Sequence, residues 1–207
     1  VLFLKYGGFV GLTITKQQLA ELDRVDFDGK IYIIDHVSEV ENAIAYLSTQ
    51  HALGFDTETK PAFKRGHVNN VALLQLATEE ECFLFRLNKI GYPDSLEELM
   101  CNDSIKKIGL SLRDDFAALR KRTGKKPQNF IDLQLFVDKF GIEDNSLQKI
   151  YAIIFGKKIS KSQRLSNWEA AELSPAQQSY AAIDAWACLK IYNHLTQNKI
   201  RNEHTNH

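Results

Sequence analysis

Ala52-Leu53-Gly54-Phe55-Asp56-Thr57-Glu58-Thr59 begins as an apolar β-strand and ends in two carboxylates. Successive side chains of a strand point to opposite faces. Asp56 and Glu58 therefore share one face, and Phe55 and Thr57 take the other. Two acids side by side repel unless a proton or a cation comes between them. Hard divalent ions such as Mg²⁺ favour carboxylate oxygens and keep positions open for water and phosphate. The plainer explanation is a strand running out into a solvated loop, and a two-residue motif does not choose between them. The choice depends on whether the rest of the chain brings more acids to the same place.

Working outward, Lys30–Asp35 is a β-rich run upstream of the acidic strand, and a short helix precedes it at Thr15–Leu22. Ser38-Glu-Val-Glu41 has the form of a capping box with Ser38 as N-cap. The helix it opens carries Val40, Ala43, Ile44 and Leu47 on one face. Downstream, Asn70–Leu76 and Glu81–Phe85 are two strands separated by four residues, which predicts an antiparallel hairpin. Further elements follow: a helix at Ser95–Met100, a strand at Ile105–Leu110, a helix from Arg113 stopped near Gly124, and a short strand at Asn129–Asp132. Two helices come next, Leu133–Phe140 and Ser146–Phe155, then a polar, basic loop from Gly156 to Trp168. Ser174-Pro-Ala-Gln177 opens the last helix, with Ser174 as cap and Pro175 at the first helical position. That helix is expected to run to about Gln197, with a frayed polar tail beyond. The order of elements indicates one α/β domain, a mixed sheet with an antiparallel hairpin and helices on its faces.

Composition narrows the class. The chain has 207 residues with Lys plus Arg equal to Asp plus Glu, 26 of each, which excludes a protein that coats nucleic acid by bulk charge. Three scattered cysteines with no C-x-x-C pair fit reduced thiols and a cytoplasmic location. No apolar run is long enough to span a bilayer. The apolar start, Val1–Leu12, lacks a basic leader and a small-residue cleavage site, which argues against a signal peptide. His51 and His67 do not sit at ligand spacing, so no zinc site is expected.

More acids appear where a core should be. The apolar stripe of the last helix is Ile183, Ala187, Cys188, Ile191 and Leu195, and Asp184 lies within it, with Tyr180 one turn earlier on the same face. An acid on a buried face is costly unless it is paired, protonated or metal-bound. A salt bridge to an arginine would serve as well. The adjacent Asp114 and Asp115 open a helix just after a strand. The helix dipole is the ordinary reason for acids there. Either could instead reach over the C-terminal edge of the sheet, where ligands of α/β proteins commonly bind.

Asp56-x-Glu58, an Asp opening a helix after a strand, and Tyr180-x-x-x-Asp184 in a late helix together resemble the DEDD superfamily of 3′–5′ exonucleases. The tyrosine spacing resembles its DEDDy branch, in the ribonuclease D and Werner-type group. The other branch places His five residues before the last Asp, where this chain has Ser179. Val71-Ala-Leu-Leu-Gln-Leu76, Lys107-Ile-Gly-Leu110 and Ser166-Asn-Trp168 extend the resemblance across about Lys30 to Leu195. Asp115 matches the second acid best, because it precedes Phe116 and Leu119 in the family's register, and Asp114 stays open as the other choice.

The resemblance implies a ribonuclease H-like (DnaQ-like exonuclease) fold and two divalent metal ions, Mg²⁺ or Mn²⁺. Asp56 would bridge the ions, Glu58 and Asp184 would complete one site, Asp115 would support the other, and Tyr180 would orient the attacking water. The partner implied is single-stranded or 3′-ended nucleic acid, DNA or RNA, with nucleoside 5′-monophosphates as products. Substrate grip is expected from Phe63, Lys64 and Arg65, along with Lys60, after the acidic strand, and from Lys161 and Arg164, with Lys157 and Lys158, before the last helix. The exonuclease domain is expected over 30–198, between an extension at 1–29 and a tail at 199–207. Two rival readings are a nucleic-acid-binding module without strong catalysis and a phosphodiesterase acting on short oligonucleotides.

Overall fold

The computed structural model describes residues 11–62 and 69–205. Thr15 caps α1 (Lys16–Glu21), taking the Gln18 N–H at 3.2 Å while the Gln18 side chain takes the Thr15 N–H at 2.9 Å. The described part of the N-terminal region is tied to the domain by bridges from Leu12 to Ile142 and from Arg24 to Lys158. Next come β1 (Lys30–Ile34), α2 (Val37–Leu47), β2 (Ala52–Thr59), β3 (Val71–Ala77) and β4 (Glu81–Phe85). They are followed by α3 (Leu87–Ile90), α4 (Asp94–Cys101), β5 (Lys106–Gly109), α5 (Arg113–Thr123) and β6 (Phe130–Asp132). The chain then forms α6 (Leu133–Val137), a 3₁₀ turn at Asp138–Phe140, α7 (Leu147–Phe155) and α8 (Pro175–Thr205).

The strands form one mixed sheet in the order β1-β4-β3-β2-β5-β6, with β2–β3 and β3–β4 antiparallel and the other pairs parallel. The hairpin expected between residues 70 and 85 is therefore present. On β2, Leu53 and Phe55 join a core formed with Val40 and Leu47 of α2, Leu96 and Leu99 of α4, and Leu119 of α5. Gly54 turns the other way, against α8. A Cβ added there would lie 1.9 Å from the Ala185 carbonyl oxygen, so only glycine permits this approach. α8 opens as its sequence predicts, with the Ser174 N–H donating to Gln177 Oε1 at 3.0 Å and the Gln177 N–H to Ser174 Oγ at 3.3 Å. The loop ahead of α8 is pinned by buried Arg86, whose guanidinium donates to the Ala170 carbonyl and, at 2.9 Å, to that of Ala171.

Two local expectations are corrected, and one short element is added. The cap of α2 is His36, with Glu39 reaching back to the His36 N–H at 3.2 Å, so Ser38 lies inside the helix. The 36–39 pair sets the start because Glu39 also takes the Asp35 N–H at 3.3 Å, satisfying two orphan donors at once. α8 continues to Thr205, past the expected stop near Gln197, since no Gly or Pro interrupts it. The short helix α3 was not foreseen, because four residues are too few to display a helical period.

Candidate metal centre

β2 delivers Asp56 and Glu58 at its C-terminal end, where the pairing with β3 shifts register between Glu58 and Thr59. α8 crosses the same face and delivers Asp184 from a turn lined by Ala181, Ala185 and Cys188, all buried. Ligand oxygens of Asp56, Glu58 and Asp184 all lie within 4.8 Å of one another. Asp184 is only 9% exposed. Among the described residues, none of the ion pairs involves any of the three.

Electrostatics follows from that crowding. Burial, and then repulsion from Asp184, Glu58 and Asp115, raise the Asp56 carboxyl well above the ordinary range. Glu58 is raised to about 8 by burial and by its acidic neighbours, against the opposing charge of Arg164. Asp184 is raised to about 7 by burial, with Tyr180 and Lys161 pulling it down. Without a cation the group holds protons at neutral pH. Three clustered oxygen donors with no ion pair among the described residues suit a hard divalent ion, so the residues fit the metal their pattern implies. Tyr180 lies one turn before Asp184 with its ring 5.9 Å from that of Trp168, and its hydroxyl is pushed up by burial and by Asp184. It stays a neutral donor near pH 7.

Asp115 stands apart from this trio. It rides on α5, on the opposite face of β2, and accepts a hydrogen bond from the Thr57 hydroxyl. It still lies close enough to raise Asp56 and Glu58 by repulsion. Asp114 is exposed, whereas Asp115 is partly buried with its carboxyl raised by burial. Of the two, Asp115 is thus the acid beside the cluster.

Two residues overlooked in the sequence build this corner. Thr57 holds Asp115. Asp132 takes the Ser111 and Leu112 N–H groups ahead of α5 and the Gln134 N–H of α6, each at 3.0 Å. An Asp between a strand and a helix is the signal that would have found it.

A cavity of about 500 Å³ opens over the acids, lined by Asp56, Tyr180, Asp184, Lys161, Arg164 and Ser146 among others. The structure separates the expected basic residues. Lys161 and Arg164 line the cavity over the acids, while Lys158 donates to the Ala20 carbonyl and Lys157 lines a different cavity with Trp186 and Lys190. Lys60 pairs with Glu169 at 3.2 Å. Phe63, Lys64 and Arg65 lie outside the described residues.

Comparison with known proteins places this geometry. The sequence model of a 3′–5′ exonuclease family matches residues 31–200. The bifunctional 3′–5′ exonuclease/ATP-dependent helicase WRN of Mus musculus is 33% identical over 181 residues, covering 83% of this chain and 13% of that protein. Exonuclease 3′–5′ domain-containing protein 2 of Drosophila melanogaster is 34% identical over 163 residues, covering 77% of this chain and 27% of the relative. The chain therefore spans well under a third of these curated relatives. Among solved structures, Escherichia coli RNase D superposes with a TM-score of 0.73 at 23% identity, over 80% of this chain and 44% of that one. Trypanosoma brucei RNase D in complex with RNA U12 gives 0.71 at 19%, over 81% and 62%. The mixed sheet and its flanking helices are thus the DnaQ-like fold of the RNase D type.

Proposed function

This chain belongs to the 3′–5′ exonuclease family, and from that premise we propose that it removes nucleotides one at a time from the 3′ end of a single-stranded or 3′-ended nucleic acid, using two divalent ions, Mg²⁺ or Mn²⁺. The observation that carries the reading is the meeting of Asp56, Glu58 and Asp184 within 4.8 Å. Those acids come from a strand and a helix more than a hundred residues apart in sequence, and burial makes their proximity unfavourable without a cation.

Divalent ions held there would supply charge neutralisation at phosphorus and an acidified water. Asp56, one of the trio and within the electrostatic reach of Asp115, is the carboxylate that would serve both ions. Glu58 and Asp184 would complete one ligand set, and Asp115, held by Thr57, would contribute to the other. Tyr180 donates from its hydroxyl and orients the attacking water in line with the leaving oxygen. Lys161 and Arg164, which line the cavity, take the phosphate oxygens. Water adds across the bond between phosphorus and the O3′ of the penultimate nucleotide. The released nucleotide keeps the 5′-phosphate, and the shortened strand gains a 3′-hydroxyl. RNA and DNA are both candidate substrates, and the trypanosome RNase D solved with RNA U12 supports nucleic acid as the ligand class.

The test uses 5′-labelled single-stranded DNA, recessed duplex DNA and RNA with Mg²⁺ or Mn²⁺. A ladder shortening from the 3′ end, with mononucleotides as products, is expected. D56A and D184A should each abolish it while far-UV circular dichroism is unchanged. Near-wild-type turnover by either folded variant would remove the metal assignment.

A further inference from the structure

One polar residue interrupts an otherwise apolar strand, Val71-Ala-Leu-Leu-Gln75-Leu-Ala77 of β3. Gln75 is 0% exposed, and neither Oε1 nor Nε2 has a hydrogen-bond partner among the described residues. Buried polar groups are nearly always bonded, so an orphan calls for an explanation. Methionine or leucine would fill the same space without stripping an amide of water.

Register supplies the explanation. Gln75 lies directly opposite Asp56 in the antiparallel β2–β3 pair. Opposed residues share a face, with Cβ atoms about 4.5–5.5 Å apart, within reach of a carboxamide. That face lies under α8, in a layer with Leu73, Ala77, Ala181 and Ala185. Trp168 belongs to the same layer, is also 0% exposed, and has an unpartnered indole Nε1. The orphans are complementary. The indole lacks an acceptor, which the amide oxygen is, and the amide NH₂ lacks an acceptor, which an ionised Asp56 is. A lysine or arginine at this position would neutralise Asp56 and compete with a cation, whereas a neutral amide orients the carboxylate and leaves its charge for the ion.

We propose that Gln75 is a positioning residue for Asp56: in the metal-loaded site its Nε2 donates to the Asp56 carboxylate and fixes the direction it faces, while Oε1 receives the Trp168 indole N–H. The inference rests on the reading of Asp56 as a metal ligand. It gives the apolar β3 strand a functional member that touches neither substrate nor ion, and outer partners of this kind commonly set metal affinity.

The test measures thermal unfolding in EDTA and Mn²⁺ binding by calorimetry for wild type, Q75M, Q75L and D56A. Removing two orphaned polar atoms should leave the metal-free Tm of Q75M equal to wild type or higher by roughly 2–4 °C. Mn²⁺ affinity should nevertheless fall about 10-fold or more in Q75M and Q75L. A residue that only packs would do the reverse, lowering Tm and leaving Mn²⁺ affinity alone. Wild-type Mn²⁺ affinity in both Gln75 variants would overturn the proposal while D56A still loses the metal. If wild type binds Mn²⁺ no better than D56A, the metal reading itself fails and takes this inference with it.

Discussion

Replacing Gly54 by alanine tests how the centre is assembled, because it adds one methyl group beneath α8 and removes no ligand. The new Cβ would lie 1.9 Å from the Ala185 carbonyl oxygen, 2.8 Å from its carbon and 3.3 Å from Leu189 Cβ. A carbon–oxygen contact relaxes at about 3.3 Å, so helix and strand must part by about 1.4 Å at this point. The clash is with helix backbone, which cannot swing aside as a side-chain tip would. Asp184 is the residue immediately before Ala185 and moves with it. Metal sites hold ligand distances to about 0.2 Å, so the displacement is several times what the trio tolerates. Overpacking of this kind costs about 1–3 kcal/mol. At the upper end, with about 2–4 °C per kcal/mol for a domain of this size, Tm should fall by roughly 6–12 °C. Mn²⁺ binding by calorimetry and turnover on a labelled strand should both be lost at temperatures where the variant is still folded. L99A is the control. Leu99 is buried on the opposite face of the sheet, so truncating it should cost about 2–5 kcal/mol while Mn²⁺ affinity persists. G54A with wild-type Mn²⁺ affinity would refute the claim that this close approach places Asp184.

Two further predictions concern the acids. Folded-state carboxyls raised to about 8 at Glu58 and about 7 at Asp184 hold protons that the unfolded chain has already released above pH ~4. Stability from those protons is complete below pH ~4 and is lost as pH rises through the folded values. In EDTA, D184N should therefore gain on wild type between pH 5 and 8 by thermal denaturation, and saturating Mg²⁺ should reverse the order at pH 8. An advantage of D184N that shrinks with rising pH would contradict the burial argument. At the second acid, D115N should lower turnover by roughly 10–100-fold and D114N should leave it within about twofold. Equal losses in the two, measured on one labelled strand, would mean that the bond from Thr57 does not mark the working residue.

Periodicity made most of the fold legible. The α2 face Val40, Ala43, Ile44 and Leu47 is buried as a 3.6-residue period requires. The hairpin followed from two β-rich runs four residues apart. Asp184 was visible because an acid inside an apolar stripe violates the pattern around it. Gln75 violates its pattern equally and passed unnoticed, since one amide in a strand offers no charge to account for and its relation to Asp56 exists only in the β2–β3 register. The bond between Thr57 and Asp115 was hidden for the same reason. Alternation sends Thr57 away from Asp56 and Glu58, and only the packing of α5 shows that the fourth acid arrives on that other face. Among the basic residues, Lys157 and Lys158 stand four and three positions from Lys161, yet the backbone turns between them and directs them to different surfaces. Linear spacing carries face information only inside a regular element.

The small residues of α8 gain a reason from this arrangement. Ala181, Ala182, Ala185 and Ala187 are each 0% exposed, and a helix packed through such side chains lies closer to a sheet than one packed through leucine. Bulkier apolar residues there would bury more surface and add stability at about 25 cal/mol per Å². They would also lift Asp184 away from Asp56 and Glu58. The chain thus forgoes apolar burial on the sheet-facing side of the first turns of α8 and accepts mutual repulsion among three clustered acids. Both costs fall at the one place where β2 and α8 cross. The large side chains Ile183, Ile191 and Leu195 pack instead in a separate cluster with Ile108, Leu133 and Ile150. The alanine face therefore sets carboxylate spacing, and the face carrying Ile183, Ile191 and Leu195 holds the helix down.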